Sequence, residues 1–156
     1  MRYFLIMLLS ISQFANASDS REIDLLSGNW NCPLDIDVDG IKLKGTANDH
    51  FNSEGMIYRS DATITFIYGG NLPIAKIKLL ESGSWEYEKS QLTYRTNDVK
   101  IEVVFDYEGI LTEETLEQMK VDFTEYDKPI ITESIDSKIW ITKDPETNKT
   151  SECFKV

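Results

Sequence analysis

The chain has 156 residues, 41% hydrophobic and 28% charged, with 16 Lys and Arg against 27 Asp and Glu and a formal net charge of −11. That balance argues against a nucleic-acid backbone as partner, because such binding needs Lys and Arg to displace counterions, and it fits a cationic partner or solubility alone. The length suits one domain with a real core, built without a metal or many disulfides.

Arg2, the apolar run Tyr3 to Ile11, and Ala15-Asn16-Ala17 make up the three parts of a secretory signal peptide, so residues 1–17 are expected to be removed before Ser18. The apolar run is shorter than the ~20 residues a spanning helix needs, and no second such run follows. The mature protein, residues 18–156, is therefore expected to carry no integral membrane segment and to reach the periplasm or the exterior.

From Trp30 the chain alternates, with Trp30, Cys32, Leu34, Ile36 and Val38 on one face and Asn31, Asp35, Asp37 and Asp39 on the other, the pattern of a half-buried strand. Asp39-Gly40 is a turn dipeptide, and Ile41, Leu43, Gly45 and Ala47 resume the alternation up to about Phe51, so the first two strands read as a hairpin. After a turn at 52–55, Tyr58, Ser60, Ala62, Ile64, Phe66 and Tyr68 line one face of a third strand. Ala75, Ile77 and Leu79 follow, and Gly83-Ser84-Trp85-Glu86-Tyr87 extends or restarts that run past a glycine bend. Leu92 and Tyr94 open the next strand, and Val99, Ile101, Val103, Phe105 and Tyr107 form the clearest alternating stretch.

The pattern changes at Gly109. Thr112 is a good N-cap, Glu113 and Glu114 are first-turn acids, and Leu116, Met119 and Phe123 share a helix face. One short helix is expected here, packed on or across a barrel mouth. Alternation returns at 130–135, 139–142 and 150–156, separated by turn-forming residues.

Eight or nine short, regularly spaced strands with one short helix predict an all-β, mainly antiparallel fold, either a β-sandwich or an up-and-down barrel. The two cysteines bear on that choice. In an exported chain Cys32 and Cys153 most economically form a disulfide, and in an even-stranded antiparallel barrel the start of the first strand lies beside the end of the last.

Gly28-Asn29-Trp30 at the head of the first strand resembles the Gly-x-Trp motif of the lipocalin-like, or calycin, barrels, in which the tryptophan plugs one end. Residues 23–26 match the turn of helix that precedes it there. The early Gly-x-Trp-x-Cys, a second Gly-x-Trp at Gly83-Ser84-Trp85 with Leu92 beyond it, and the late Cys153 also resemble small exported bacterial proteins of unassigned role. The resemblance implies a barrel whose cavity holds a small hydrophobic ligand.

Catalytic chemistry is poorly represented. The chain has one histidine, His50, on the outward face of its strand, and its cysteines are expected to be oxidised. No cofactor is expected. A pair of carboxylates remains open to so acidic a chain, but would need one carboxyl with a raised pKa in a cleft. Asp35, Asp37 and Asp39 before Gly40 resemble the start of a calcium loop, yet the twelfth position is Thr46 instead of glutamate, so strand acids in water is the favoured reading. Trp30, Tyr58, Phe66, Tyr68, Trp85, Tyr87, Phe105 and Tyr107 are expected to point inward as core or cavity lining. Between Asp106 and Asp136 stand 10 acids against Lys120 and Lys128, and Glu113, Glu114 and Glu117 would form an acidic face for a basic protein partner, such as an exported enzyme or toxin.

Overall fold

The computed structural model describes residues 14–38 and 40–156. The first thirteen residues of the expected signal peptide, and Asp39 of the calcium-like motif, lie outside the described residues.

A helix, α1 (Phe14–Leu26), leads into β1 (Gly28–Val38), and β2 (Ile41–Asn52), β3 (Ile57–Tyr68), β4 (Leu72–Glu88) and β5 (Gln91–Asp106) follow. After α2 (Glu113–Glu125) come β6 (Ile130–Ile135), β7 (Ile139–Lys143) and β8 (Thr150–Lys155). Every pairing is antiparallel between chain neighbours, and β8 returns to β1, so the sheet closes into a ring. The expected barrel is observed with eight strands, and α1 extends well beyond the short helical lead read from the sequence.

Two seams in the ring are thin. β8 pairs with β1 at Trp30↔Lys155 and Asn31↔Phe154, extended by the Val156 amide donating to the Asn29 carbonyl. β6 pairs with β5 at Gln91↔Ile131 and Leu92↔Ile130, extended by the Thr132 amide donating to the Ser90 carbonyl. The first seam is reinforced by the Cys32–Cys153 disulfide, with Cα atoms 4.2 Å apart. Beyond Leu92, β5 rises past the end of its pairing with β6, and α2 packs along it there. Thr112 caps α2 by accepting from the Thr115 amide at 3.2 Å, and Leu116, Met119 and Phe123 pack onto the core. The helix completes the wall, and its charged residues face water.

One end of the barrel is sealed. Trp30, Trp85, Trp140, Phe51 and Leu26 are fully buried there. Phe51 meets Trp85 and Trp140 edge-on, with centroids 5.5 and 5.9 Å away, and Trp30 meets Trp140 likewise at 5.8 Å, the favoured geometry for aromatic quadrupoles. α1 lies across this end. Its last carbonyls lack partners within the helix, and two side chains from the barrel supply them: Trp30 Nε1 donates to the Leu26 carbonyl at 2.7 Å and Lys155 Nζ to that of Leu25 at 2.6 Å. Lys155 also sits 5.0 Å from the centre of the Trp30 ring, so one ammonium serves the helix dipole and the indole face together. The Tyr87 hydroxyl donates to Glu22, tying α1 to β4.

Glycine shapes the wall where strands press together. A Cβ at Gly45 would lie 1.9 Å from the Thr63 carbonyl oxygen, and one at Gly83 would lie 2.0 Å from that of Arg95. Gly83 adjoins a register shift against β5, where the strand bends without breaking, so the run continues as one 17-residue strand.

A second shift in the β4–β5 ladder, beside Val104, corrects the sequence reading. It sets Phe105 opposite Lys76 and Asp106 opposite the fully buried Ala75. The extra residue moves the following side chains to the opposite face, so Phe105 and Tyr107 stack on each other outside the barrel, at 4.7 Å, instead of lining it. Tyr107 is 75% exposed, and Tyr68, at the tip of β3, is 60% exposed. Neither belongs to the core.

Candidate functional site

Continuous alternation carries a polar level into the barrel. Trp30, Asp49, Ser60, Glu81 and Val99 are register partners across β1 to β5 and share the inner face. Asp49 lies between Ala47 and Phe51, both buried, and Glu81 follows buried Leu79 on its strand. Towards the sealed end the next level is Phe51, Tyr58, Gly83 and Thr96; towards the open end it is Ala47, Ala62, Leu79 and Ile101.

Burial pushes the Asp49 carboxyl up to about 6, against a hydrogen bond from the Ser60 hydroxyl that favours the ionised form. Burial also pushes Glu81 up to about 7, and the charge of Asp49 adds to the shift. The Tyr58 phenol, bonded to Thr96 and packed edge-on against Tyr94 at 4.9 Å, is pushed up to about 12, chiefly by burial. Burial drives Tyr94 well upward too, with Asp49 contributing. Inner-face neighbours of the pair in both levels are uncharged, so no cation offsets the two acids. Around neutral pH the pair holds a proton that ordinary carboxyls would have lost.

Above this level the inner face of β2 to β5 is apolar until the mouth, where Asp106 stands opposite Ala75 and accepts from the Ile110 and Leu111 amides at 3.1 and 2.9 Å. The successive levels are Ala47, Ala62, Leu79 and Ile101, then Gly45, Ile64, Ile77 and Val103, then Ile36, Leu43, Phe66 and Ala75. Gly45, Ala47, Ala62 and Ala75 put little volume into the bore. Exposure differs between strands: Ile77 and Ala75 on β4 are fully buried, whereas Val103 on β5 is 39% and Ile36 on β1 44% exposed. Water therefore reaches Val103 and Ile36 near this end.

A groove of about 430 Å³ is lined by Asn48, His50, Arg59, Asp61 and Asp98, and reaches Ser60 and Glu81 of the acid level. His50 is exposed, with Nδ1 2.8 Å from Asn29 Oδ1, in agreement with its outward assignment.

The other residues read from the sequence fall in distinct places. Trp30, Tyr58, Trp85 and Tyr87 are in the core, and Phe66 packs against it from the mouth. Glu113, Glu114 and Glu117 are exposed on α2, where Glu117 pairs with Lys120 at 2.6 Å. Asp35 is held by Lys42 at 3.3 Å and Lys44 at 3.9 Å, and Asp37 is exposed. Among the described residues no group of three or more His, Cys, Asp or Glu side chains is arranged to hold a metal. Asp49 and Glu81 escaped the sequence reading although the alternation already put both on the inner face; a carboxylate at an apolar-face position was the available signal. No protein-family model matches the chain, and no curated protein matches it either.

Proposed function

We propose that this is an exported, non-catalytic binding protein whose barrel takes a small, largely hydrophobic ligand through its open end, in the manner of a lipocalin-like carrier. The observation that carries this reading is the inner face between the mouth and the Asp49–Glu81 level. The two levels next above the acids, on strands β2 to β5, hold no polar side chain, and the third adds only Asp106, whose carboxylate is taken up by the Ile110 and Leu111 amides. Several of the residues are small, and Ile36 and Val103 are open to water. A hydrophobic molecule entering there exchanges its own water and that of Ile36 and Val103 for apolar contact, at about 25 cal/mol per Å² removed from water. The Trp30–Trp85–Trp140–Phe51 floor stops it, and the acid level meets its leading end. Carboxyl pairs of unequal acidity also serve acid–base catalysis, but an apolar bore gives a hydrophilic substrate no group to bind. The signal-like N-terminus and the disulfide support an oxidising location outside the cytoplasm.

Titration of the mature protein with a neutral fluorescent probe, N-phenyl-1-naphthylamine, tests the reading. Saturable binding is expected, and Val103→Asp, which puts a charge in the mouth, should weaken it by at least about tenfold, since carrying a charge into an apolar site is costly. Absence of saturable binding refutes the proposal.

The exposure of Glu113, Glu114 and Glu117 on one helix favours a second reading, a basic protein partner docked on α2. Capture of that partner should weaken as salt rises, and reversal of the three charges should abolish it. Unchanged capture by the reversed variant dismisses this reading.

A further inference from the structure

We propose that ligand uptake by the barrel is proton-gated by Asp49 and Glu81: the lumen accepts a neutral hydrophobic ligand when the pair is protonated and releases it when both carboxyls ionise. The inference rests on the proposed lumen-binding function and adds its regulation.

The geometry places the two carboxyls on strands β2 and β4, on one inner-face level, with only Ser60 of β3 between them in register. They lie below two levels that are apolar on β2 to β5, and Asp106 at the mouth is taken up by the Ile110 and Leu111 amides, so a ligand that fills the bore covers them and removes their remaining water. Covering two ionised carboxylates strips hydration from both and leaves their mutual repulsion in a medium of low dielectric constant. Covering a protonated pair avoids both costs, and a carboxyl proton can be shared with the partner oxygen or Ser60. Ligand and proton therefore favour each other's binding reciprocally.

The groups facing the pair leave this coupling uncompensated. From β1 come Trp30 and Cys32; from β2, Ala47 and Phe51; from β3, Tyr58 and Ala62; from β4, Leu79 and Gly83; from β5, Tyr94, Thr96 and Val99. The phenols of Tyr58 and Tyr94 are both raised by burial and stay neutral through the relevant range, and Tyr126 at the end of α2 acts on Tyr94. Lys155 is on the same level beyond Trp30, but its ammonium is engaged by the Leu25 carbonyl. The raised pKa values of Asp49 and Glu81 put the transition between about pH 6 and 7.

The test is titration of the mature protein with N-phenyl-1-naphthylamine, which stays neutral across the range, at pH 5, 6, 7 and 8 and constant ionic strength. Circular dichroism at each pH checks that the barrel is folded. Wild-type Kd should rise at least about tenfold from pH 5 to pH 8, the change that one unit of ligand-induced pKa shift produces. Glu81→Gln should flatten most of that rise, and Asp49→Asn with Glu81→Gln should remove it. Saturable wild-type binding with a Kd constant across the range overturns the gating and leaves lumen binding intact. A pH dependence that survives in the double variant assigns it to another group and also overturns the gating. No binding at any pH overturns both.

Discussion

Replacing Glu81 by glutamine should stabilise the protein at alkaline pH, although it removes a native side chain's charge. The Glu81 carboxyl is raised from 4.5 to about 7 by burial and by Asp49. A folded-state pKa above the unfolded one means that the folded chain holds the proton more tightly. The ionised side chain is thus no burden below about pH 4.5, costs progressively more as pH rises to about 7, and imposes a constant penalty above that. A shift of that size corresponds to about 3 kcal/mol at most; partial exposure and relaxation of the wall reduce it, so about 1 to 3 kcal/mol is expected. Glutamine keeps the shape and hydrogen-bonding capacity, carries no charge, and relieves Asp49 of its neighbour's repulsion. Urea unfolding followed by tryptophan fluorescence reports directly, because Trp30, Trp85 and Trp140 are all buried. At pH 8, Glu81→Gln should unfold later than wild type, with a thermal midpoint raised by roughly 3 to 10 °C for a domain of this size. At pH 4 the advantage should vanish. A variant less stable than wild type at pH 8 would refute the claim that this charge is buried without compensation.

Other perturbations probe the closure of the ring. Converting both Cys32 and Cys153 to serine opens a loop with a sequence separation of 121, and should cost about 5 kcal/mol in the chain-entropy account; a urea midpoint unchanged by the substitutions or by reductant would show that the thin β1–β8 seam holds unaided. Gly83→Ala should cost at least about 2 kcal/mol or prevent folding, because its Cβ would meet a backbone oxygen, whereas Gly55→Ala, with only ordinary contacts to Ile57, should lie within about 0.5 kcal/mol of wild type. Thermal denaturation separates the two, and equal effects would remove the close-approach argument.

The sequence alone determined an all-β, mainly antiparallel fold and, through its two cysteines, pointed to a barrel over a sandwich, because side-chain alternation is a local property with a period of two and the cysteines mark where first and last strands could meet. A tryptophan plugging one end was implied by the resemblance, and the tertiary structure decided both. The sequence also located α2, whose N-cap, first-turn acids and apolar spacing are all short-range signals. The acid level was half legible: alternation placed Asp49 beside Ala47 and Phe51, but whether an inner-face carboxylate meets water, a cation or another acid depends on which strands lie opposite. Register across β2, β3 and β4 decided that, and so produced the Asp49–Ser60–Glu81 level. Tertiary structure also decided the fate of Phe105 and Tyr107, since one extra residue at Val104, invisible in the alternation, turns both outward. It likewise gave Lys155 its place against Trp30 and Leu25, and α2 its place in the wall where β5 outruns β6. Each of these depends on contacts between residues distant in the chain, and a local pattern carries no record of such contacts.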